Sequence, residues 1–253
     1  MLTLKRYRLS RARILAFLDV LDTLQEPAVT LHLPAGIAPE ELDAYVRQAA
    51  LTADMAGEVV KEVASVRTGA VLFWGESYKR LIAPPFPQRE KYVTGGYDTA
   101  PLRGLLAHDY RIGIVLVRLG SFSIGLCEGE KLVDHKTGTG LVHGRQRQGG
   151  SSSSRFRRRR EEQVYHFLER VAEHAQEKLS PYARTLDFVV YGGARTTIRE
   201  LLRHSDFLRR FDDRLLPPLL DIPEPRHEVL ERAVAGIWSS RVVEWREGAS
   251  EFT

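Results

Sequence analysis

Two stretches of this sequence leave little choice of fold. Ile112-Gly113-Ile114-Val115-Leu116-Val117, within Arg111 to Arg118, is a nearly continuous apolar run, and Leu186 to Tyr191 is another. A strand with one wet face alternates polar and apolar residues, whereas one that is apolar almost throughout has to be covered on both faces. The two runs therefore predict neighbouring central strands of one sheet. Ser121 to Cys127 and Lys131 to Thr137 follow the first run at hairpin spacing, separated by glycine-containing turns. From Phe156 to Leu179, the residues Val164, Phe167, Leu168, Val171, Ala175 and Leu179 recur every three or four positions, which predicts a helix lying on those strands. A short helix over Thr196 to His204 and a C-terminal helix carrying Val229, Leu230, Ala233, Val234, Ile237 and Trp238 on one face complete this half. Three strands, a helix, a strand and a helix describe a sheet covered by helices, of ribonuclease-H-like type.

The N-terminal part reads as a smaller unit. Arg11 to Leu24 predicts a helix through Ile14, Leu15, Phe17, Leu18 and Leu21. Ala28 to Leu33 predicts a short strand, closed by Pro34-Ala35-Gly36. A long helix is expected from about Pro39 to Val66, with Glu40 and Glu41 in its first turn and Leu42, Val46, Ala49, Ala53, Val60 and Val63 on its apolar face. Strands are expected at Ala70 to Trp74 and Tyr78 to Ala83. Pro84-Pro85-Phe86-Pro87 then opens a stretch with little periodicity. The expected fold class is mixed α/β (α+β). It comprises an N-terminal α/β domain over residues 1–83, a linker over 84–106, and a second domain over 107–253.

The chain has 253 residues, of which 43% are hydrophobic and 28% charged, a composition typical of globular proteins. A single cysteine, Cys127, excludes a disulfide framework and multi-cysteine metal sites. No apolar run approaches the roughly 20 residues of a membrane helix. Nor do the first residues lead into a signal-peptide core, so a cytoplasmic protein is expected. The net charge of +4 is unevenly placed. Gly144 to Arg160 holds seven arginines and no acid; without it, the remaining 30 basic residues face 33 acids. Concentrated arginine is what a phosphate-binding surface requires, although a solvated charged turn has the same composition. A smaller basic cluster, Lys5, Arg6, Arg8, Arg11 and Arg13, precedes the first acid, Asp19.

Several catalytic systems are excluded. No Gly-x-Ser-x-Gly elbow, P-loop or His-Glu-x-x-His occurs. Gly138-Thr139-Gly140-Leu141-Val142-His143-Gly144 is one residue too long for a dinucleotide fingerprint and precedes a basic loop. The central strands carry none of the carboxylates that a two-metal nuclease gathers there. The eight histidines do not cluster, so no metal and no organic cofactor is expected. Cys127, within a strand, reads as a small core residue.

The informative segment is Gly144-Arg145-Gln146-Arg147-Gln148-Gly149-Gly150-Ser151-Ser152-Ser153-Ser154-Arg155-Phe156-Arg157-Arg158-Arg159-Arg160-Glu161-Glu162-Gln163. Two glycines and four serines make a low-bulk tip between two arginine stems, with Ser154 as the expected helix N-cap. The pattern Gly-Arg-x-x-x-Gly-Gly-x-Ser-x-x-Arg-Phe-x-Arg-x-Arg-x-Glu resembles the catalytic loop and following helix of eukaryotic and archaeal class I peptide-chain release factors. Tyr110 to Val117 looks like the first strand of that family's middle domain, and Val133-Asp134-His135-Lys136 like the strand leading into its loop. Phe188-Val189-Val190-Tyr191-Gly192-Gly193 resembles its later strand and glycine turn, and Asp221-Ile222 its next short strand. The similarity spans roughly Ala70 to Trp245.

This resemblance implies a release-factor-like middle domain that acts on the ribosome. The catalytic tip would be Gly149, Gly150, Ser151, Ser152 and Ser153. Arg145, Arg147, Arg155, Arg157, Arg158, Arg159 and Arg160 would bind RNA. The implied partners are large-subunit rRNA and peptidyl-tRNA, with no DNA and no membrane. The first 66 residues contain no Asn-Ile-Lys-Ser codon reader, and the chain ends after the middle-domain pattern. Both features are similar to the shortened, Vms-like branch of ribosome-rescue peptidyl-tRNA hydrolases, which act without reading a stop codon. One departure is chemical. The family carries Gln directly after Gly-Gly, where Ser151 stands, and the rescue branch near Ser153 or Ser154; Gln146 and Gln148 are out of register. The implied activity is ester hydrolysis of peptidyl-tRNA. The alternative is a non-catalytic ribosome-binding hibernation or surveillance factor that has lost the Gln.

Overall fold

The computed structural model describes residues 2–49, 51–142 and 153–247. The chain divides into two compact units, Met1–His108 with Ile237–Thr253, and Asp109–Gly236.

The first unit is built from β1 (Leu2–Leu9), α1 (Arg11–Thr23), β2 (Ala28–Leu33), α2 (Pro39–Gln48), α3 (Ala53–Ala64), β3 (Ala70–Gly75), β4 (Lys79–Ala83), β5 (Tyr92–Gly95) and α4 (Ala100–Ala107). The chain's last described strand, β10 (Ser240–Glu247), also belongs to it. These strands form one sheet in the order β1-β10-β4-β3-β2-β5, with every pairing antiparallel. Both faces are covered. Leu31, Leu33, Leu72, Leu81, Val243 and Trp245 pack with Leu42 and Val46 of α2 and Val59 and Val63 of α3. Val71, Phe73, Ile82 and Val242 pack with Ile14, Phe17, Leu18 and Leu21 of α1 and Leu102 and Leu106 of α4.

Three sequence expectations change here. The long helix expected from Pro39 to Val66 is two helices, because Thr52 is extended at the start of α3 (φ −62°, ψ 153°). A single helix of that length would run about 42 Å, well past a six-stranded sheet about 24 Å wide; two short ones both bury their apolar sides. The expected linker over 84–106 instead carries β5 and α4 and belongs to the first unit. The expected second domain over 107–253 loses its end, since β10 inserts between β1 and β4. Buried Val242, Val243 and Trp245 give β10 apolar residues for both faces of the sheet.

A buried polar knot ties the 84–99 segment down. His32 of β2 is fully buried. Gln88 Oε1 accepts from Arg89 N at 2.9 Å, which orients its Nε2 to donate to His32 Nδ1 at 3.1 Å. The imidazole proton is therefore on Nε2, which lies 3.3 Å from Asp98 Oδ2 without good hydrogen-bond alignment. Tyr92 packs on the His32 ring and donates to Asp98 at 2.6 Å. The small basic cluster is likewise used in folding. Arg6 donates to the buried Glu62 (3.0 Å), Arg8 to Ser239 Oγ (2.7 Å), and Arg11 to Ala107 O (3.0 Å) while lying over the Trp238 ring.

The second unit holds β6 (Arg111–Arg118), β7 (Ser121–Glu128), β8 (Lys131–Thr139), α5 (Ser153–Leu179), β9 (Phe188–Gly193), α6 (Arg195–Arg203), α7 (Asp206–Arg209) and most of α8 (His227–Ile237). Its sheet order is β8-β7-β6-β9. The first three strands form an antiparallel meander, and β9 runs parallel to β6 with Ile114 opposite Val190. The two apolar runs are thus the neighbouring strands that their composition predicts. Val115, Val117, Phe122, Ile124, Leu126, Val189 and Tyr191 face α5, α6 and α7. Alternate residues Ile112, Ile114, Leu116 and Cys127 are also fully buried. At the expected strand around Asp221-Ile222, the backbone makes only isolated parallel bridges to β9, at Leu215 and Leu220. Helix α5 starts three residues earlier than expected, so Ser154 lies inside it rather than capping it. Among the described residues, no helix is long and apolar enough to cross a membrane.

Two consequences are measurable. Ile114→Asp places an unpaired charge in a core with no compensation, so cooperative unfolding of the second unit should be lost or its stability reduced by several kcal/mol. Calorimetry of the variant checks this. Burial holds the His32 imidazole below its ordinary range, against the opposing pull of Asp98. The unfolded chain therefore takes up a proton first as pH falls below about 6.5. The stability His32 contributes is complete above that value and is lost as pH falls from there through the lower folded value. The melting temperature should fall more steeply between about pH 7.5 and about pH 5.5 in the native protein than in His32→Gln.

Candidate nucleic-acid interface

The structure places the expected site residues in two groups. Arg145, Arg147, Gly149, Gly150, Ser151 and Ser152 lie outside the described residues. Ser153 opens α5, and Arg155, Arg157, Arg158, Arg159 and Arg160 occupy its first two turns. Every residue from Arg155 to Arg159 is exposed, and the first buried side chain of α5 is Phe167. Val164 is half-buried and already packs on the core, so the helix runs for eleven residues, about 16 Å, before it meets the core. This is a basic stem standing on a packed base.

The placement of charge on the stem works against the isolated helix. Cations at a helix N-terminus face the positive end of its dipole, and the first turn of α5 has no acid. Two pairs one turn apart offset part of this, Arg157 with Glu161 (3.8 Å) and Arg158 with Glu162 (3.2 Å). Both have the arginine N-terminal to the glutamate, the weaker orientation. Both are largely exposed, and exposed pairs contribute little. An arrangement disfavoured within the chain is favoured once an external polyanion supplies the missing negative charge.

The base of the stem is held by close packing. The Phe122 ring lies against Gly138, its cross-strand partner, where a Cβ would come within 2.5 Å of the ring. A Cβ on Gly140 would come within 2.3 Å of Arg170 and 2.7 Å of Phe167. Gly140 N donates to Gly120 O (2.9 Å), Arg170 Nη2 to Thr139 O (3.2 Å) and Lys178 Nζ to Asp134 Oδ1 (2.9 Å). The Gly138-Thr139-Gly140 pattern that superficially suggests a dinucleotide site is thus a packing motif that lets β8 approach α5.

Beside this packed base runs a groove of about 430 Å³, lined by Leu141, Arg159, Glu162, Gln163, His166, Phe167 and Arg170. Sequence reasoning does not single out Arg159, His166 and Arg170 as a group. Their spacing along one helix face is the available signal, and the stronger apolar stripe of the same helix overshadows it.

Among the described residues, no group of three His, Cys, Asp or Glu side chains could hold a metal. His174 stacks on Phe122 and pairs with Glu177 (3.1 Å), His166 pairs with Glu169 (3.5 Å), and His135 packs on His227. Burial pushes the Cys127 thiol up to about 12, which removes it as a nucleophile.

Residues 110–243 match the Actinobacteria/chloroflexi VLRF1 release factor family. Peptide chain release factor subunit 1 of Aeropyrum pernix is 27% identical over 176 residues, which cover 66% of this chain and 47% of that protein. The Archaeoglobus fulgidus protein of the same name is 31% identical over 122 residues, 47% of this chain and 30% of its own length. The chain thus spans half or less of the length of these relatives. Among solved structures, the archaeal translation termination factor aRF1 aligns over 91% of this chain and 73% of its own, at 21% identity and a TM-score of 0.41. The Vms1 mitochondrial localization core aligns over 92% and 94%, at 12% identity and a TM-score of 0.42.

If the stem meets nucleic acid, Arg155→Glu/Arg157→Glu/Arg158→Glu should weaken ribosome co-sedimentation and flatten its dependence on salt. Each single-strand phosphate that is no longer neutralised lowers the slope by about 0.7. An unchanged salt series would exclude this segment as the RNA-binding element.

Proposed function

The chain belongs to the Actinobacteria/chloroflexi VLRF1 release factor family, and from that premise we propose that it is a cytoplasmic ribosome-rescue factor that hydrolyses peptidyl-tRNA without reading a stop codon. The observation that carries this reading is the exposed arginine stem of α5, which runs about 16 Å before Val164 reaches the core, with Gly149-Gly150 shortly upstream of it in the sequence. A basic stem followed to a low-bulk tip suits a narrow cavity walled by RNA phosphate.

In the reaction, a water oxygen attacks the ester carbonyl that joins the peptide to the tRNA 3′ end. The tetrahedral intermediate collapses with breakage of the bond to the ribose oxygen, which takes up a proton and leaves as a hydroxyl. The peptide leaves as a carboxylate, and its proton passes to solvent. Oxyanion stabilisation calls for positioned N–H groups. Ser151 retains its backbone N–H, as any residue but proline does. Arg145, Arg147, Arg155, Arg157, Arg158, Arg159 and Arg160 act by holding large-subunit rRNA or tRNA phosphate, and Gly149 to Ser153 form the tip.

The absence of Gln at Ser151, Ser153 and Ser154 favours one other reading, a surveillance or hibernation factor that binds the ribosome without hydrolysis. The two differ at one position. Under hydrolysis through the backbone, Ser151→Ala keeps most peptide release, whereas Ser151→Pro removes the N–H and reduces release by about 10²–10³-fold. Release from ribosomes loaded with labelled peptidyl-tRNA measures this. Tight ribosome binding with no release above the factor-free rate, for native and variant protein alike, would select the non-catalytic reading.

A further inference from the structure

One exposed face of α5 has a composition that the core does not explain. Arg159, Glu162, His166 and Arg170 recur every three or four residues, which places them on one side of the helix, and all four are exposed. Together with Leu141, which follows β8, and the buried Phe167, they line the groove of about 430 Å³ at the base of the stem. That volume is of the size that takes a small organic ligand.

The two ends of the groove are cationic. Arg170 is fixed there, because its Nη2 donates to Thr139 O (3.2 Å) and Gly140 has no Cβ to obstruct it. The bond uses one of five guanidinium N–H donors. Arg159 stands eleven residues earlier in α5, about 16 Å along the axis, and no described acid pairs with it. The groove's carboxylate, Glu162, pairs with Arg158 (3.2 Å), and His166 pairs with Glu169 (3.5 Å); neither partner lines the groove. Arg159 and Arg170 are thus left to meet an external anion.

Between these ends the groove is apolar. Leu141 is 73% exposed, more than any other large apolar side chain among the described residues, whereas the next residue, Val142, packs on the core. An exposed leucine in a groove gains when an apolar surface covers it. The occupant therefore carries negative charge on two sides of an apolar body. Arg159 also belongs to the stem, so a polyanion bound along Arg155, Arg157 and Arg158 leads directly into the groove.

We propose that this groove takes one unpaired nucleotide of RNA, its base covering Leu141 and the phosphates on its two sides held by Arg159 and Arg170. Guanidinium groups match phosphate with paired N–H donors, and an unpaired base has a face to offer that a stacked one does not. The proposal rests on the ribosomal reading only in taking that nucleotide to belong to rRNA or tRNA.

The test titrates the isotope-labelled full chain with adenosine carrying phosphates on both its 3′ and 5′ oxygens, with adenosine carrying the 5′ phosphate alone, with adenosine and with inorganic phosphate, and reads backbone amide shifts. The bisphosphate should move the amides of Leu141, Phe167 and Arg170 and bind more tightly than each of the other three. Arg159→Gln, at an exposed position outside the core, should weaken the bisphosphate by about 2- to 5-fold and leave adenosine unchanged. Leu141→Ser should weaken both by about 4-fold for each CH2 that the base covers and leave inorganic phosphate unchanged. The proposal is overturned if the bisphosphate moves none of these amides, or if it binds no more tightly than the monophosphate. It is also overturned if inorganic phosphate binds as tightly, an adventitious ion only, or if either folded variant binds the bisphosphate as the native protein does. Co-sedimentation of the native protein with ribosomes is scored alongside. Leu141-dependent nucleotide binding without ribosome association would uphold the groove and reject the ribosomal reading, and ribosome association without nucleotide binding would do the reverse.

Discussion

The approach of β8 to the lower half of α5 is the interaction on which the second unit's candidate site depends. Gly138 leaves room for the Phe122 ring, and Gly140 leaves room for Phe167 and Arg170. Side chains at either position would drive strand and helix apart. With strand and helix this close, Phe167, Leu168, Val171, Ala175 and Leu179 bury themselves against the sheet, and the helix acquires a fixed direction. The N-terminal turns need no core of their own, because they continue a helix already held by its lower turns. A helix of this kind can carry residues that would not sustain one alone, which is how five arginines come to occupy its disfavoured end.

Charge and packing are therefore separated along one helix. From Val164 onwards, α5 serves the fold; before it, no described apolar side chain packs on the core, and Arg155, Arg157, Arg158 and Arg159 are displayed. The smaller cluster at the N-terminus of the chain shows the opposite use of the same residue type. Arg6 and Arg241 converge on buried Glu62, while Arg80 and Arg246 converge on buried Glu244, which they hold in the charged form despite its burial. Arginine density in a sequence does not distinguish these cases. The presence of acids on facing elements does, and for the first unit those acids lie far away in the chain.

The second unit was readable to the extent that its elements are long and periodic. The central strand at Arg111–Arg118, its parallel neighbour at Phe188–Gly193 and the α5 apolar stripe all carry signals that local sequence expresses. The first unit was harder because its defining pairings are remote. Strand β10 completes a sheet more than 150 residues upstream, with Val243 opposite Leu81. No local pattern announces which sheet a strand will join. Strand β5 is four residues long, and its place is set by the His32, Gln88 and Asp98 interactions rather than by alternation. At the candidate site, the arginines were evident from composition. The groove along Arg159, His166 and Arg170, with Leu141 lining it, required the helix partners to be known.

The central claim is that the arginine end of α5 approaches the peptidyl-transferase region of the large subunit. The single native cysteine, Cys127, is fully buried and its thiol is pushed up to about 12, so it does not compete for thiol reagents. Phe156, half exposed in the stem, is the place for a new one. Phe156→Cys carrying a tethered iron chelate, bound to ribosomes, should generate hydroxyl radicals that cut large-subunit rRNA around the peptidyl-transferase centre. Cuts confined to the small subunit or to the periphery of the large one would contradict the account.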